Sequence, residues 1–254
     1  MPERRTTMRK ANDILYGIED QLGALGLTHM ASKIDELYHS RDFLEKDHLS
    51  IISAMVDAEY EERIARRFRT HMRTAHLTGC PQEIEQCKDS KVREYLPKDI
   101  TSTLASLEFI HEGLNICILG PSDSGKSYLA KALAIKACYD FKVAYYHCQG
   151  LLEELVSLKQ ADYPKYQRKM KRLNKCELLV LDDFLLHSIS EEQEMKVLYE
   201  LLEKRSELSR STIVCSQREP KSWKSMMLND EVSANAIVKR ATKHYTVVIN
   251  LKTK

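Results

Sequence analysis

The chain has 254 residues, enough for one large domain or two modest ones. Lysine plus arginine total 39 against 37 for aspartate plus glutamate, a formal charge of +2, so contact with nucleic acid would have to come from locally clustered charge. With 43% hydrophobic and 30% charged residues the composition excludes a disordered chain, and apolar runs such as Ile116 to Leu119 and Leu178 to Leu181 are too short for a membrane span.

The opening Met1-Pro2-Glu3-Arg4-Arg5 is charged and has no long apolar stretch behind it, so no secretory signal is expected. Apolar residues then recur at helical spacing: Ile14, Leu15, Ile18, Leu22 and Leu25, followed by Ile34, Leu37 and Tyr38. A third helix is expected from near Leu49, with Tyr60, Ile64, Phe68 and Met72 on one stripe and Arg63, Arg66, Arg67, Arg69 and Arg73 on the other side. Those arginines are either a solvated face paired with Glu61 and Glu62 or a phosphate-contacting face. Arg4, Arg5, Arg9 and Lys10 are weaker candidates of the same kind.

From Thr78 to Pro97 the chain turns polar, with Gly79-Cys80-Pro81 as a turn signal and Pro97 as a second breaker, which places a boundary here. Residues 1–77 read as a helical N-terminal domain, 78–100 as a linker, and 101–254 as the second domain. Short apolar strands alternate with helices in that last part: Ile116 to Leu119, Val143 to Tyr146, Leu178 to Leu181, Thr212 to Cys215 and Thr246 to Leu251. This pattern implies an α/β fold, a mostly parallel sheet covered by helices on both faces. Seven cysteines form an odd set with no C-x-x-C pair, which argues against a disulfide framework and a zinc site and leads us to expect a reducing cytoplasm.

The first strand runs into Gly120-Pro121-Ser122-Asp123-Ser124-Gly125-Lys126-Ser127, and a helix opens at Tyr128. This is G-x-x-x-x-G-K-[ST] with strand before and helix after, the setting that a phosphate loop requires. Gly120 and Gly125 let successive backbone N–H groups converge on phosphate oxygens. Lys126 brings a point charge to the β and γ phosphates, and the Ser127 hydroxyl suits Mg²⁺. Residues Gly120 to Tyr128 are therefore the expected ATP or ADP segment.

The strand Leu178 to Leu181 ends in Asp182-Asp183. Acids at the carboxyl end of a buried strand sit where such a sheet places its chemistry. Asp182 suits the metal, and Asp183 the orientation and deprotonation of the attacking water. Because Val143 to Tyr146 intervenes between the two motifs, the arrangement points to ATPases with an additional strand between loop and acid. Gln217, after the strand Thr212 to Cys215, is a candidate contact to the γ-phosphate or the lytic water. Arg240 is either a surface arginine or a finger offered to a neighbouring subunit.

The stretch Lys165 to Lys175 holds six basic residues and no acid, with Lys165, Arg168, Lys169 and Arg172 on one side of a helix. Such a stripe neutralises phosphates without reading bases, so duplex binding that weakens with salt is expected, with bending rather than base readout.

Taken together, Leu22-Gly23-Ala24-Leu25-Gly26-Leu27 with Met30, the basic helix after Glu59, Leu107-Glu108-Phe109-Ile110, the phosphate loop, Leu178 to Phe184, Ser211-Thr212-Ile213, Ser216-Gln217, Trp223 and Ala236-Ile237 with Arg240 resemble the IstB-like helper ATPases of insertion-sequence transposition. These are AAA+ proteins related to the helicase loader DnaC and the initiator DnaA. The resemblance implies a P-loop AAA+ sheet preceded by a small helical domain for DNA or partner binding. It also implies an ATPase that oligomerises on duplex DNA, remodels it and assists the transposase of its own element. By the same resemblance Gln217 is the first sensor and Arg240 a finger in trans. A DnaC-like loader, or a nucleotide-switched DNA-binding protein with little hydrolysis, are the alternatives. Asp123 stands where the family's loop usually has glycine, and Lys252-Thr253-Lys254 carries no second-sensor arginine, so slow hydrolysis is expected.

Overall fold

The computed structural model describes residues 2–228 and 231–252, with side chains from Asn12 onward; Arg4, Arg5, Arg9 and Lys10 lie outside the described side chains. The chain divides into two compact units, one ending at Arg67 and one running from Phe68 to Lys254.

The first unit is helical. Helix α1 (Pro2–Ala24) and helix α2 (Thr28–Tyr38) pack together, and the Tyr38 hydroxyl donates to Asn12 Oδ1 at 2.9 Å. The break between them is a left-handed turn at Gly26. Helix α3 (His48–Thr74) begins in this unit and continues into the second. Its buried Glu59 accepts from the backbone N–H of His29 at 3.1 Å and from Arg63 Nε at 2.8 Å. Tyr60 is 64% exposed, so the expected stripe of Tyr60, Ile64, Phe68 and Met72 is corrected at its first member. A charged inward residue, Glu59, had shifted the apparent stripe by one position.

The second unit is built on six strands: β1 (Arg93–Leu96), β2 (Ile116–Leu119), β3 (Val143–His147), β4 (Leu178–Asp182), β5 (Ser211–Ser216) and β6 (Tyr245–Leu251). Their order across the sheet is β1-β6-β2-β5-β4-β3. Five strands run parallel, as the alternation of strands and helices implies, and β1 pairs antiparallel with β6. Strand β1 was not read from the sequence. It lies within residues 78–100, where Arg93-Glu94-Tyr95-Leu96 gives only one buried side chain, Tyr95.

The helices of this unit are α4 (Ile100–Ala105), α5 (Glu108–His111), α6 (Lys126–Ala137), α7 (Cys148–Ala161), α8 (Tyr163–Lys175), α9 (Glu192–Glu207), α10 (Pro220–Trp223) and α11 (Glu231–Thr242). Successive strand residues point to opposite faces. Ile116, Ile118, Val180, Ile213 and Val247 meet Leu129, Ala130 and Leu133 of α6 on one side. Cys117, Leu179, Leu181 and Val214 meet α7, α8, α9 and α11 on the other. Strands β4 and β5 are buried at every position, the continuous apolar pattern expected of central parallel strands.

One buried cation staples this second face. Arg205 of α9 is 1% exposed and donates to Thr212 Oγ1 at 3.0 Å, to the Cys176 carbonyl at 3.1 Å, and to the Leu173 and Ser211 carbonyls. Every acceptor is neutral, so its guanidinium is held by hydrogen bonds and not by an ion pair.

Candidate nucleotide site

The loop after β2 is shaped by close backbone approach. A Cβ on Gly120 would come within 2.6 Å of the Ile249 carbonyl and of Ser124 Oγ. Gly125, the N-cap of α6, has φ +98°, a conformation side chains rarely adopt. Asp123 also lies in the left-handed region, at φ 58°, and is exposed. Aspartate tolerates that region better than most residues. Pro121 and Ser122 form the exposed crest, while Ser124 is fully buried and its hydroxyl has no hydrogen-bond partner among the described residues.

Lys126 and Ser127 open α6. Lys126 is 5% exposed, and its ammonium donates to the Pro121 carbonyl at 2.7 Å, across the mouth of the loop. Burial holds its pKa below the usual lysine value, opposed by Cys215, Asp182 and Asp183 nearby. Tyr128 turns away and donates to Gln86 Oε1 at 2.6 Å.

The Ser127 hydroxyl donates to Asp182 Oδ1 at 3.0 Å, which joins the two motifs. Asp182 is 1% exposed; it also accepts from the Asp183 backbone N–H at 3.1 Å and from the Tyr145 hydroxyl. Burial and this bond to a carboxylate push the Tyr145 phenol well above its ordinary pKa, so it keeps the proton that it donates to Asp182. Asp183 has φ 54° and its carboxylate faces His147 Nδ1 at 3.2 Å. The turn is pinned to β5 by Phe184 N–H donating to the Cys215 carbonyl at 2.7 Å and by Ser216 Oγ donating to the Phe184 carbonyl at 2.8 Å.

The donor atoms of His147, Asp182 and Asp183 lie within 4.8 Å of one another. Together with Ser127 they offer the mainly oxygen donor set that a hard divalent cation takes, so Mg²⁺ fits. The buried unpartnered Ser124 hydroxyl and the glycine-lined loop fit a polyphosphate in the same way.

The sequence profile of the IstB-like ATP-binding proteins matches residues 20–253. The chain belongs to the IstB-like ATP-binding protein family. It is 31% identical over 221 residues to the insertion sequence ATP-binding protein y4pL of Sinorhizobium fredii, covering 87% of this chain and 88% of that protein. Among solved structures, AMPPCP-bound DnaA from Aquifex aeolicus superposes with a TM-score of 0.55 at 19% identity, over 69% of this chain and 52% of that one. The DnaC helicase loader superposes with a TM-score of 0.52 at 18% identity, over 67% of this chain and 98% of that one. The second unit of this IstB-like chain thus has the AAA+ fold, and ATP binding is a property of its family.

Other residues singled out in the sequence stand elsewhere. Gln217 is exposed just past β5; it is Cys215, two residues earlier, whose thiol faces Asp182. Arg240 on α11 is ion-paired with Glu203 of α9, and its guanidinium lies 5.4 Å from the centre of the Tyr199 ring. On α8 the stripe is less bare than its local sequence implies. Lys169 pairs with Glu154 of α7, Lys165 pairs with Asp162, and Arg172 donates to the Thr74 carbonyl at 3.0 Å. Arg168, Lys171 and Lys175 are exposed and form no ion pair among the described residues. On α3, Arg63 pairs with Glu59, and Arg63, Arg66, Arg67 and Arg73 are all exposed.

Tyr145 and His147 were missed from the sequence. The available signal was position: polar side chains two apart at the carboxyl end of the strand that pairs with the acidic one, with His147 in register with Asp182. Among the described residues no helix is long and apolar enough to cross a membrane.

Proposed function

We propose that the chain is an ATPase of the cytoplasm that binds duplex DNA as a nucleotide-dependent homo-oligomer and assists a transposase. The observation that carries the enzymatic part is the Ser127–Asp182 hydrogen bond, with Tyr145 and Asp183 converging on the same carboxylate. Two motifs 55 residues apart form one constellation suited to phosphoryl transfer, where positioning and charge matter more than covalent chemistry.

In this reading the loop from Gly120 to Tyr128 holds the phosphates of ATP or ADP through its backbone N–H groups. Lys126 leaves the Pro121 carbonyl and neutralises charge on the β and γ oxygens. Ser127 and Asp182 would hold Mg²⁺, which when bound screens the polyphosphate's negative charge. The Asp183 carboxylate, fixed by a left-handed turn and by His147, orients a water toward the γ-phosphorus and accepts its proton, yielding ADP and phosphate. Gln217 contacts the reacting end from β5, and Arg240 reaches a neighbouring subunit's nucleotide after giving up Glu203.

For DNA, Arg168, Lys171 and Lys175 of α8 are the strongest phosphate contacts because they are exposed and form no ion pair among the described residues; Lys165, Lys169 and Arg172 contribute after exchanging partners. Arg63, Arg66, Arg67 and Arg73 form a second basic face within residues 1–77, the segment proposed to meet DNA or the partner. The insertion-sequence naming of y4pL supports a transposase as that partner.

Titration with a fluorescent ATP analogue and a phosphate-release assay, each with and without duplex DNA, test the enzymatic reading. Lys126→Ala should abolish binding, whereas Asp183→Asn should bind normally and hydrolyse about 100-fold more slowly. Hydrolysis at the wild-type rate in Asp183→Asn would sink the assignment.

A further inference from the structure

The site just described accounts for the triphosphate end of a nucleotide and leaves one cation beside it unexplained. Arg93, the first residue of β1, lies against the last glycine of the phosphate loop: a Cβ built on Gly125 would come within 2.8 Å of Arg93 Cζ and 3.0 Å of its Nη1. Two features of the sheet put it there. Arg93 is in register with Leu251, and β6 is in register with β2 so that Val248 faces Leu119. Arg93 therefore projects beyond the carboxyl edge of β2, the edge from which the loop springs.

The charge around this guanidinium is unbalanced. It sits at the N-terminal end of α6, where the helix dipole is positive, one residue from the ammonium of Lys126. Its Nε is buried without a hydrogen-bond partner, and it forms no ion pair among the described residues. Its polar neighbours are the Tyr95 hydroxyl and the Cys87 thiol. Burial raises both, the thiol to about 11, so both are neutral at pH 7 and neither offsets the charge. A helix N-terminus, a lysine and an arginine converge here, and the carboxylates closest to this group, Asp123 and Glu85, are exposed to solvent, which leaves an anion site.

The sheet order says which part of the ligand it meets. The acids lie at the end of β4, two strands to one side of β2, and β1 lies two strands to the other side. A nucleotide whose γ-phosphate faces Asp182 and Asp183 must direct its nucleoside end toward β1. The geometry points to Arg93 as a nucleotide-binding residue of the same chain, one that grips the α-phosphate and ribose side of bound ATP or ADP.

This assignment rests on the phosphate-loop reading, and binding measurements on the full chain separate the two. Dissociation constants for fluorescent ATP, fluorescent ADP and inorganic tripolyphosphate would be compared in the wild type, Arg93→Ala, Arg93→Lys and Lys126→Ala. Arg93→Ala should weaken ATP and ADP alike by about tenfold, the loss of one charge-assisted hydrogen bond, and weaken tripolyphosphate less. Arg93→Lys retains stem and charge, so it should recover part of the affinity and exclude a folding defect as the cause. Wild-type affinity for both nucleotides in Arg93→Ala, alongside loss in Lys126→Ala, overturns the role of Arg93 and leaves the phosphate loop standing. A wild-type protein that binds neither nucleotide overturns both.

Discussion

The two compact units answer to the same chemistry with very different cores. Among the described side chains of the unit ending at Arg67, the buried apolar ones are Leu15, Ile34 and Leu37, while Ile14, Tyr16, Leu25, Leu44, Leu49 and Tyr60 are each more than half exposed. In the unit from Phe68 onward two apolar layers sandwich the sheet, and Phe184, Leu179, Val180, Ile213 and Trp223 are fully buried. The difference teaches where precision is required. A phosphate loop and an acidic turn must be held within fractions of an ångström, and only close packing on both faces of a sheet does that. Among its described residues the helical unit carries no such constellation, and its stability should be correspondingly lower and more local.

The largest effect expected from this contrast is at Arg205. Arg205→Ala takes away the donor that the Leu173, Cys176 and Ser211 carbonyls and the Thr212 hydroxyl share inside the second unit, and removes a buried side chain. Unfolding should become easier by about 4 kcal/mol, read as a lower denaturant midpoint. A change below about 1 kcal/mol would mean that water replaces the guanidinium, and that the second unit is looser than its packing implies.

A smaller effect separates the units chemically. All seven cysteines fall in the second unit, and burial lifts Cys87 to about 11 and Cys117, Cys138 and Cys148 to about 12, whereas Cys80 is only half-buried. Alkylation of the native protein at pH 8 followed by peptide mass spectrometry should therefore mark Cys80 first. The raised values also fix a pH window. Above about pH 9 the unfolded chain loses thiol protons that the folded chain keeps, so this contribution to stability is present below pH 9 and is lost as pH rises through 11 to 12. Fast labelling of Cys117 at pH 8 would show that the sheet opens locally.

How much of this was legible beforehand varies with how local the determinant is. The phosphate loop, the five parallel strands and the acidic pair were all readable, because each depends on a run of neighbouring residues: two glycines at fixed spacing, or four apolar residues closed by Asp182 and Asp183. Strand β1 was not, because four residues with one buried side chain carry no period, and its pairing with β6 is made more than 150 residues along the chain. The same limit hid Tyr145 and His147, which matter only once β3 is laid beside β4. It also made the α8 cations look unopposed, since Glu154, which pairs with Lys169, lies on the preceding helix. Residues whose role depends on a distant partner leave little trace in local sequence.

The smallest expected effect is the most direct probe of the first unit. Leu44 is 94% exposed, so Leu44→Ser removes no buried area, and stability should change by less than about 0.5 kcal/mol, or about 2 °C in Tm. The same replacement at Leu37, which is 7% exposed, would serve as the positive control, since it buries a hydroxyl where a branched apolar side chain now packs. If Leu44→Ser instead lowers Tm by several degrees, Leu44 is covered in solution. The sparse core of the first unit would then be only part of its apolar burial, and the contrast between the units would narrow. An unchanged Tm, with Leu37→Ser clearly destabilised, keeps the contrast and shows that Leu44 contributes nothing to holding this unit folded.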